Sequence, residues 1–156
     1  MKVRMEIIGA NEEEEIVLRT RVPDPRMLES LRHIAGEQEA LTGYHEDGSM
    51  SKLDLRELYY FESVENRVFA YGVKAVSELK CRLYELEGRF AGMDFVRISK
   101  SMILNLDKVE RFVPVLGGRI EAVLKNGERA VISRQYVPEV KRRLGLYVER
   151  KTKKDA

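Results

Sequence analysis

The stretch FVRISKSMILNLDKV, residues 95–109, joins strand-forming residues to an unusual density of polar groups. Phe95, Val96 and Ile98 supply apolar bulk that favours a β-strand. The next three, Ser99, Lys100 and Ser101, offer two hydroxyls and a cation. A period of two puts Arg97 on the face of both serines, whereas Lys100 has the parity of the apolar face. We therefore expect the strand to end before these three residues, which then project from a turn.

Hairpin signals lie on both sides of this stretch. Four dipeptides separate β-rich runs: Asp47-Gly48, Glu65-Asn66, Gly117-Gly118 and Asn126-Gly127. The second lies between the aromatic runs 58–63 and 67–73, and Asn-Gly is a strong type I′ turn signal. The pattern predicts a mainly β fold with small helices, built from antiparallel hairpins.

Three segments show helical spacing. In the first, Asp24 can cap a helix that begins at Pro25, and Gly36 can end it. A second helix of about four turns is predicted from apolar residues that step by three and four: Val76, Leu79, Leu83, Leu86 and Phe90. A short third helix is predicted within residues 135–145.

The N-terminal 40 residues predict a β-β-α extension. The runs 3–8 and 16–22 are β-rich, and four glutamates between them favour a solvated turn. The helix beginning near Pro25 completes the unit. This extension is the candidate dimerisation element, and the C-terminal residues 148–156 are expected to form a disordered basic tail.

Composition indicates a cytoplasmic protein with an anionic partner. Of 156 residues, 44% are hydrophobic and 35% are charged, and no apolar run is long enough to span a membrane. The N-terminus lacks the features of a secretory signal, and a single cysteine cannot form an internal disulfide. Residues 1–48 hold 6 basic and 11 acidic side chains, against 22 and 15 in residues 49–156. The basic part favours a polyanion as partner, and a solvated surface is the equal alternative.

Catalytic and metal motifs are missing from the sequence. It contains neither standard Gly-rich phosphate loop, and the two histidines, His33 and His45, lack metal-ligand spacing. Cys81, placed by the pattern within the second helix, is either a plain partly buried thiol or a redox switch between two cations. We therefore expect no enzyme activity, no metal, no cofactor and no small-molecule substrate.

The residues from about Leu41 to Leu144 resemble the LytTR DNA-binding domain of bacterial transcription regulators. Four quoted pieces occur in the order of that family: LRELYYFESVENRVFAYG, SELKCRLYELEGRF, FVRISKSMILNLDKV and VLKNGERAVISRQYVPEVKRRL. The resemblance assigns residues 41–147 to such a domain and implies an elongated antiparallel β fold. Many members follow a phosphoacceptor receiver domain, for which residues 1–40 are too short. We therefore expect a stand-alone regulator, similar to response regulators but without its own receiver.

The resemblance also implies where DNA is contacted. In that family, loops between strands, rather than a recognition helix, enter successive major grooves. Carried over by position, the DNA-binding candidates are Asn66 and Arg67 beside Glu65, then Ser99, Lys100 and Ser101, then Arg134 and Gln135 beside Ser133. Arg can bridge guanine, and Gln or Asn can bridge adenine, so Arg134, Gln135 and Asn66 are the candidate base readers. Lys100 suits a phosphate or mixed contact.

Several of these residues have structural alternatives. Arg97 is better explained by a salt bridge across the sheet, and Asn105 by a turn. Ser101 either caps a turn or binds phosphate, while Ser133 is better explained as the N-cap of the last helix. The basic run 141–143 either touches phosphates or forms a solvated face. The aromatic residues of the central hairpin are expected in the core rather than as a base-stacking platform.

The sequence thus predicts a sequence-specific regulator of transcription that binds double-stranded DNA at paired promoter repeats, as a homodimer. Two alternatives stay open. Aromatic strands also suit an RNA or single-stranded nucleic-acid-binding β module, and the small net charge of +2 also suits a protein-interaction module that has lost DNA binding.

Overall fold

The computed structural model describes residues 2–36, 41–90 and 93–145, with the side chains of Glu29 and His33 left aside. The predicted tail 148–156 lies outside the described residues. Three α-helices are described: α1 Pro25–Ile34, α2 Leu83–Arg89 and α3 Val137–Arg143. Short 3-10 turns cover Leu55–Glu57, Leu106–Lys108 and Arg134–Tyr136. The described strands are β1 Leu41–Tyr44, β2 Met50–Leu53, β3 Leu58–Val64, β4 Arg67–Gly72, β5 Val76–Leu79, β6 Phe95–Arg97, β7 Met102–Asn105, β8 Val109–Val115, β9 Arg119–Leu124 and β10 Arg129–Ile132.

The described strands form two antiparallel sheets. The larger has seven strands in the order β2-β1-β5-β4-β3-β7-β6, and the smaller has three in the order β10-β9-β8. Every described pairing is antiparallel. This architecture confirms the predicted mainly β fold with small helices.

The type of turn in two hairpins follows from the length of the loop rather than from the dipeptide it contains. Glu65 and Asn66 both have positive φ, 51° and 64°, so this two-residue loop is the type I′ turn. The Asn126-Gly127 turn is not type I′, because only Gly127 has positive φ, 86°. The Gly127 N–H donates to the Leu124 carbonyl at 2.9 Å, and the Leu124 N–H donates to the Glu128 carbonyl at 2.8 Å. One additional residue in this loop therefore gives a type I turn followed by a glycine bulge.

The predicted four-turn second helix is wrong in its first half. Residues 76–79 form strand β5, with Val68 opposite Leu79, and the helix begins only at Leu83. Ser77 and Leu79 are buried while Val76 is 51% exposed, an alternation of period two. Pairing with the edge of β4 thus prevails over helical spacing. Cys81 consequently lies between β5 and α2 rather than within a helix.

The predicted N-terminal strands are also wrong, whereas the helix after them is confirmed. Residues 3–8 and 16–22 form no strand in the structure. The Asp24 carboxylate accepts the Arg26 N–H at 2.9 Å, which caps α1 as predicted. The N-terminal apolar side chains lie largely in solvent, among them Val3 at 97% exposure. A hairpin with no surface to pack on is at best marginally stable in water, which explains the missing strands.

Two apolar clusters fix the sheets and helices. One lies between the large sheet and α2, where the Phe61 ring meets those of Phe90 and Phe95 with centroids 5.6 and 5.3 Å apart. The other joins β6, β7, the small sheet and α3 around fully buried residues such as Ile98 and Ile132. Tyr60 and Phe61 belong to these clusters, and Tyr59 and Tyr71 pack against the second, which confirms their predicted role in the core. Phe69 instead lies 5.2 Å from the Arg67 guanidinium, measured to its ring centroid. Among the described helices none is both long and apolar enough to cross a bilayer.

Candidate nucleic-acid interface

Three of the predicted contact segments meet at one edge of the molecule. The segment from Ile98 to Ser101 lies in the middle. The Ser63 N–H, beside the β3–β4 turn, donates to the Ser101 carbonyl at 2.8 Å. The Ser133 N–H, after β10, donates to the Ile98 carbonyl at 2.9 Å. Two backbone hydrogen bonds therefore hold segments about 70 residues apart in the sequence in one row.

The central loop is shaped by Arg97. Its Nε donates to the Ser99 carbonyl at 2.6 Å, and its Nη2 donates to the Lys100 carbonyl. Its Nη1 forms an ion pair with Glu87 of α2 at 2.9 Å, and only 17% of the Arg97 side chain is exposed. The structural role predicted for Arg97 is therefore confirmed, but its salt bridge runs to helix α2 and not across the sheet.

The exposed groups of this loop are Lys100 and Ser101. The Ser99 hydroxyl accepts the Ser101 N–H at 3.2 Å, so Ser99 stabilises the turn. The Ile98 N–H donates to the Met102 carbonyl at 3.0 Å and closes the loop. With its backbone carbonyl held by Arg97, Lys100 stands at the tip with an exposed side chain. The tip thus offers one cation and one hydroxyl to a partner.

The β3–β4 turn offers Asn66 rather than Arg67. The Arg67 guanidinium is paired with the Glu78 carboxylate of β5 and lies 5.2 Å from the centroid of the Phe69 ring. Hydrogen bonding to Arg67 lowers the pKa of Glu78 below its ordinary value. An arginine that is already paired must lose this partner before it can bridge a base. Asn66 is exposed at the turn.

The segment after β10 presents Arg134 and Gln135. Both are exposed within the 3-10 turn Arg134–Tyr136. Ser133 occupies the N-cap position of this turn, but its side chain makes no capping hydrogen bond, so the capping hypothesis is wrong. The turn is closed through the backbone instead, because the Tyr136 N–H donates to the Ser133 carbonyl at 2.8 Å.

The β8–β9 turn was predicted from Gly117-Gly118, but its position beside the predicted contact segments was not. Gly118 has φ 71°, and a Cβ atom placed on it would lie 3.2 Å from Cδ of Arg134. The neighbouring Arg119 is exposed, and its Nε donates to the Leu116 carbonyl at 3.2 Å. The Gly-Gly-Arg sequence is the signal that could have identified this turn as a close approach of backbone to a side chain.

Lys80, like Arg119, is a cation that the sequence did not predict at this edge of the molecule. Val68 lies opposite Leu79, so the residue after β5 comes next to the β3–β4 turn. The Lys80 ammonium lies 4.5 Å from the centroid of the Tyr44 ring. The assignment of this residue to a helix concealed its position at the sheet edge.

Other candidate residues have structural partners. Asn105 is buried, donates to the Leu58 carbonyl at 2.8 Å and accepts the Asp107 N–H at 3.1 Å, as expected for a turn residue. Arg143 donates to the carbonyls of Met93 and Phe95.

The other two residues of the basic run on α3 differ in whether they have a partner. Arg142 pairs with Glu139, a contact that lowers the pKa of that carboxyl. Lys141 is exposed. The run 141–143 is therefore mostly engaged in intramolecular pairs.

The titratable groups of the described residues were compared with the arrangements that metal sites need. Across residues 2–36, 41–90 and 93–145, no three His, Cys, Asp or Glu side chains lie close enough to hold a metal ion. Burial raises the pKa of the Cys81 thiol, which favours the plain thiol over a redox switch. His45 makes a 2.7 Å hydrogen bond between its Nε2 and the Ser51 hydroxyl.

Comparison with known proteins identifies the family. The sequence matches the model of the LytTr DNA-binding domain over residues 48–145. The chain therefore belongs to the LytTr DNA-binding domain family, as its resemblance implied. A solved LytTr DNA-binding domain from Bacillus cereus has the same fold, with a TM-score of 0.65, 21% identity, and coverage of 69% of this chain and 99% of that one.

Two curated relatives carry regulatory names. An uncharacterised HTH-type transcriptional regulator of Staphylococcus aureus strain NCTC 8325 is 29% identical over 152 residues, 94% of this chain and 99% of that relative. The sensory transduction protein LytT of Enterococcus faecalis is 32% identical over 88 residues, 56% of this chain and 36% of that protein. In this chain, strands separate the described α-helices.

Proposed function

We propose that this chain regulates transcription by binding double-stranded DNA in a sequence-specific manner, with loops at one sheet edge entering the major groove. The observation that carries this proposal is the pair of backbone hydrogen bonds that align three polar loops. Aligned loops on a rigid sheet can follow a groove that is about 12 Å wide. Membership of a DNA-binding family supports the same conclusion.

The loops supply different kinds of contact. Lys100 neutralises a phosphate and releases its counterion, which strengthens binding at any sequence. Ser101 fixes the register by donating a hydrogen bond to a phosphate oxygen. Arg134, Gln135 and Asn66 contact base edges, and each good bidentate contact contributes about 1–3 kcal/mol of discrimination. Ser99 and Arg67 contribute less, because both are already engaged within the protein.

Neither alternative function has comparable structural support. An RNA or single-strand platform needs exposed aromatic rings, whereas Tyr60 is 8% exposed and Phe61 is fully buried. A protein-interaction module does not require the exposed cations Lys100 and Arg134 in two of the three aligned loops.

The decisive experiment is selection of bound duplexes from a random pool by the purified protein. We expect one enriched motif. Replacing Arg134 by Ala should then relax the preference at one position, while Lys100→Ala should weaken all sequences alike and reduce the salt dependence by about one phosphate contact. Lys125→Ala is the matched control, since Lys125 is an exposed cation at the far end of β9.

Three outcomes would contradict the proposal. A pool without enrichment would remove sequence specificity. Tighter binding to single strands would favour the RNA-type module. Unchanged affinity for all nucleic acids in Lys100→Ala and Arg134→Ala would favour a protein-interaction module.

The sites on DNA are proposed to be paired repeats bound by two copies of the chain. Two protein copies related by a two-fold axis match repeats about one helical turn, or a multiple of it, apart. Spacing of the enriched motifs in the selected pool measures this directly.

A further inference from the structure

The first residues of the chain display an alternating apolar pattern to solvent. Val3, Met5 and Ile7 are 97%, 89% and 95% exposed. Between them stand Arg4 and Glu6, so a strand here would have one apolar and one charged face. Exposed apolar side chains in regular alternation are characteristic of a strand without its partner.

This segment is complementary to itself. In an antiparallel pair of two copies centred on Met5, Val3 lies opposite Ile7. On the other face, Arg4 of each copy lies opposite Glu6 of the other. Opposite charges and apolar residues directly across a strand pair each contribute roughly 0.2–1 kcal/mol. A two-fold interface repeats every such pair, so one sequence satisfies both sides.

We propose that residues 3–7 pair antiparallel with the same residues of a second copy and thereby dimerise the protein. The partner is a second copy because this register places each Arg4 opposite a Glu6 and each Val3 opposite an Ile7. This proposal specifies the contact behind the two-copy arrangement under Proposed function, and it is independent of whether the loops bind DNA.

A second strand from each copy completes the sheet. The Glu12 N–H donates to the Gly9 carbonyl at 3.1 Å, which turns the chain after the first arm. In the second arm, residues 16–22, Ile16, Leu18 and Val22 share one face, and Val17 is the apolar residue of the other. Two strands alone are marginally stable, whereas two hairpins give the four strands that a stable sheet with an apolar face requires.

The test is a charge swap in the full chain, measured by sedimentation velocity without DNA. The wild type should sediment as a dimer. Arg4→Glu alone and Glu6→Arg alone each place like charges opposite one another twice, and should weaken dimerisation roughly tenfold or more. The double variant R4E/E6R restores both pairs with their signs exchanged, so it should dimerise as the wild type does.

A control variant and three outcomes keep the proposal falsifiable. Lys125→Glu makes the same charge change outside the segment and should leave the dimer intact. A monomeric wild type at 100 µM, single variants that dimerise normally, or a double variant that stays monomeric would each overturn the proposal.

The same variants distinguish this proposal from the DNA-binding proposal. On a duplex with a single half-site, Arg4→Glu should bind as the wild type does, because its loops are intact. On paired repeats it should lose affinity. If the wild type does not bind a single half-site, the proposed function is contradicted, while the dimer result is unaffected.

Discussion

The β3–β4 hairpin and the N-terminal segment have similar local sequences but different structures. Both consist of two β-rich runs around a short polar turn, in residues 58–72 and 3–22. In the first, Phe61 is fully buried and Val68 is 2% exposed, against 97% for Val3 in the second. In the first, six residue pairs join β3 and β4, with a shift of register between Leu58 and Tyr60. In the second, the described chain has a turn but no ladder.

The difference between the two regions is what lies against them. The hairpin packs on α2 and is flanked by β5 and β7, so its apolar face is covered and its edges are paired. Residues 3–22 pair with no strand in the described part of the chain, and their apolar side chains are largely exposed. Local β preference therefore becomes a strand only where another element covers it. Because no described residue covers the N-terminal arms, they are the surface proposed for a second copy.

The largest contrast is expected from apolar truncation in each region. Phe61→Ala should reduce the free energy of unfolding by about 3–5 kcal/mol, because it removes a buried ring from contact with Phe90 and Phe95. Ile7→Ala, at a dilution that keeps the chain monomeric, should change it by less than about 0.5 kcal/mol. Urea unfolding followed by circular dichroism measures both. Equal effects would mean that the N-terminal segment is packed in the monomer.

A second contrast concerns arginines that support loops. Arg97→Met should cost about 1–3 kcal/mol, because the Ser99 and Lys100 carbonyls lose their donor. DNA affinity should fall as well, since Lys100 is no longer held at the tip. Arg56→Met is the control, because the Arg56 side chain is 88% exposed and forms its ion pair with the nearby Asp54 at the surface.

For that control, thermal unfolding should show a change within about 0.5 kcal/mol. If Arg97→Met leaves stability and DNA binding unchanged, the loop holds its shape without this side chain.

Alanine substitutions at two glycines of similar backbone conformation distinguish backbone strain from displacement of Arg134. Gly118 and Gly127 have φ 71° and 86°, so alanine at either should cost about 1–2 kcal/mol. Only at Gly118 does a Cβ meet Arg134, whereas nothing lies within 4 Å of one at Gly127. Gly118→Ala should therefore lower DNA affinity several-fold, and Gly127→Ala should not. Fluorescence anisotropy at a fixed salt concentration gives both affinities, and equal losses would point to strain alone.

The smallest expected effect is on the free energy of unfolding at acid pH. Because Arg67 lowers the pKa of Glu78 in the folded state, the pair stabilises the hairpin above the ordinary carboxyl pKa. That contribution is lost as pH falls through the lowered pKa. Carboxyl titration by NMR in Arg67→Ala should show the Glu78 pKa returning to its ordinary range. An unchanged pKa would mean that the pair does not persist in solution.

The sequence by itself determined most of the hairpins, the position and cap of α1, and the family. These features depend on short-range chemistry, such as positive φ at turn residues, a carboxylate before a helix, and ordered motifs over about a hundred residues. It also predicted correctly that Arg97 and Asn105 are structural residues, since each is a polar residue within a strand or at its end.

Only the tertiary structure decided which β-rich runs become strands and which polar residues stand together. Residues 76–79 pair with β4 although their spacing suits a helix, and residues 3–8 remain unpaired although their pattern suits a strand. The approach of the β8–β9 turn to Arg134 depends on contacts between distant residues, which no local pattern encodes. Pairing energy comes from neighbours that the local sequence does not contain, and for this reason the composition of the interface could not be predicted in full.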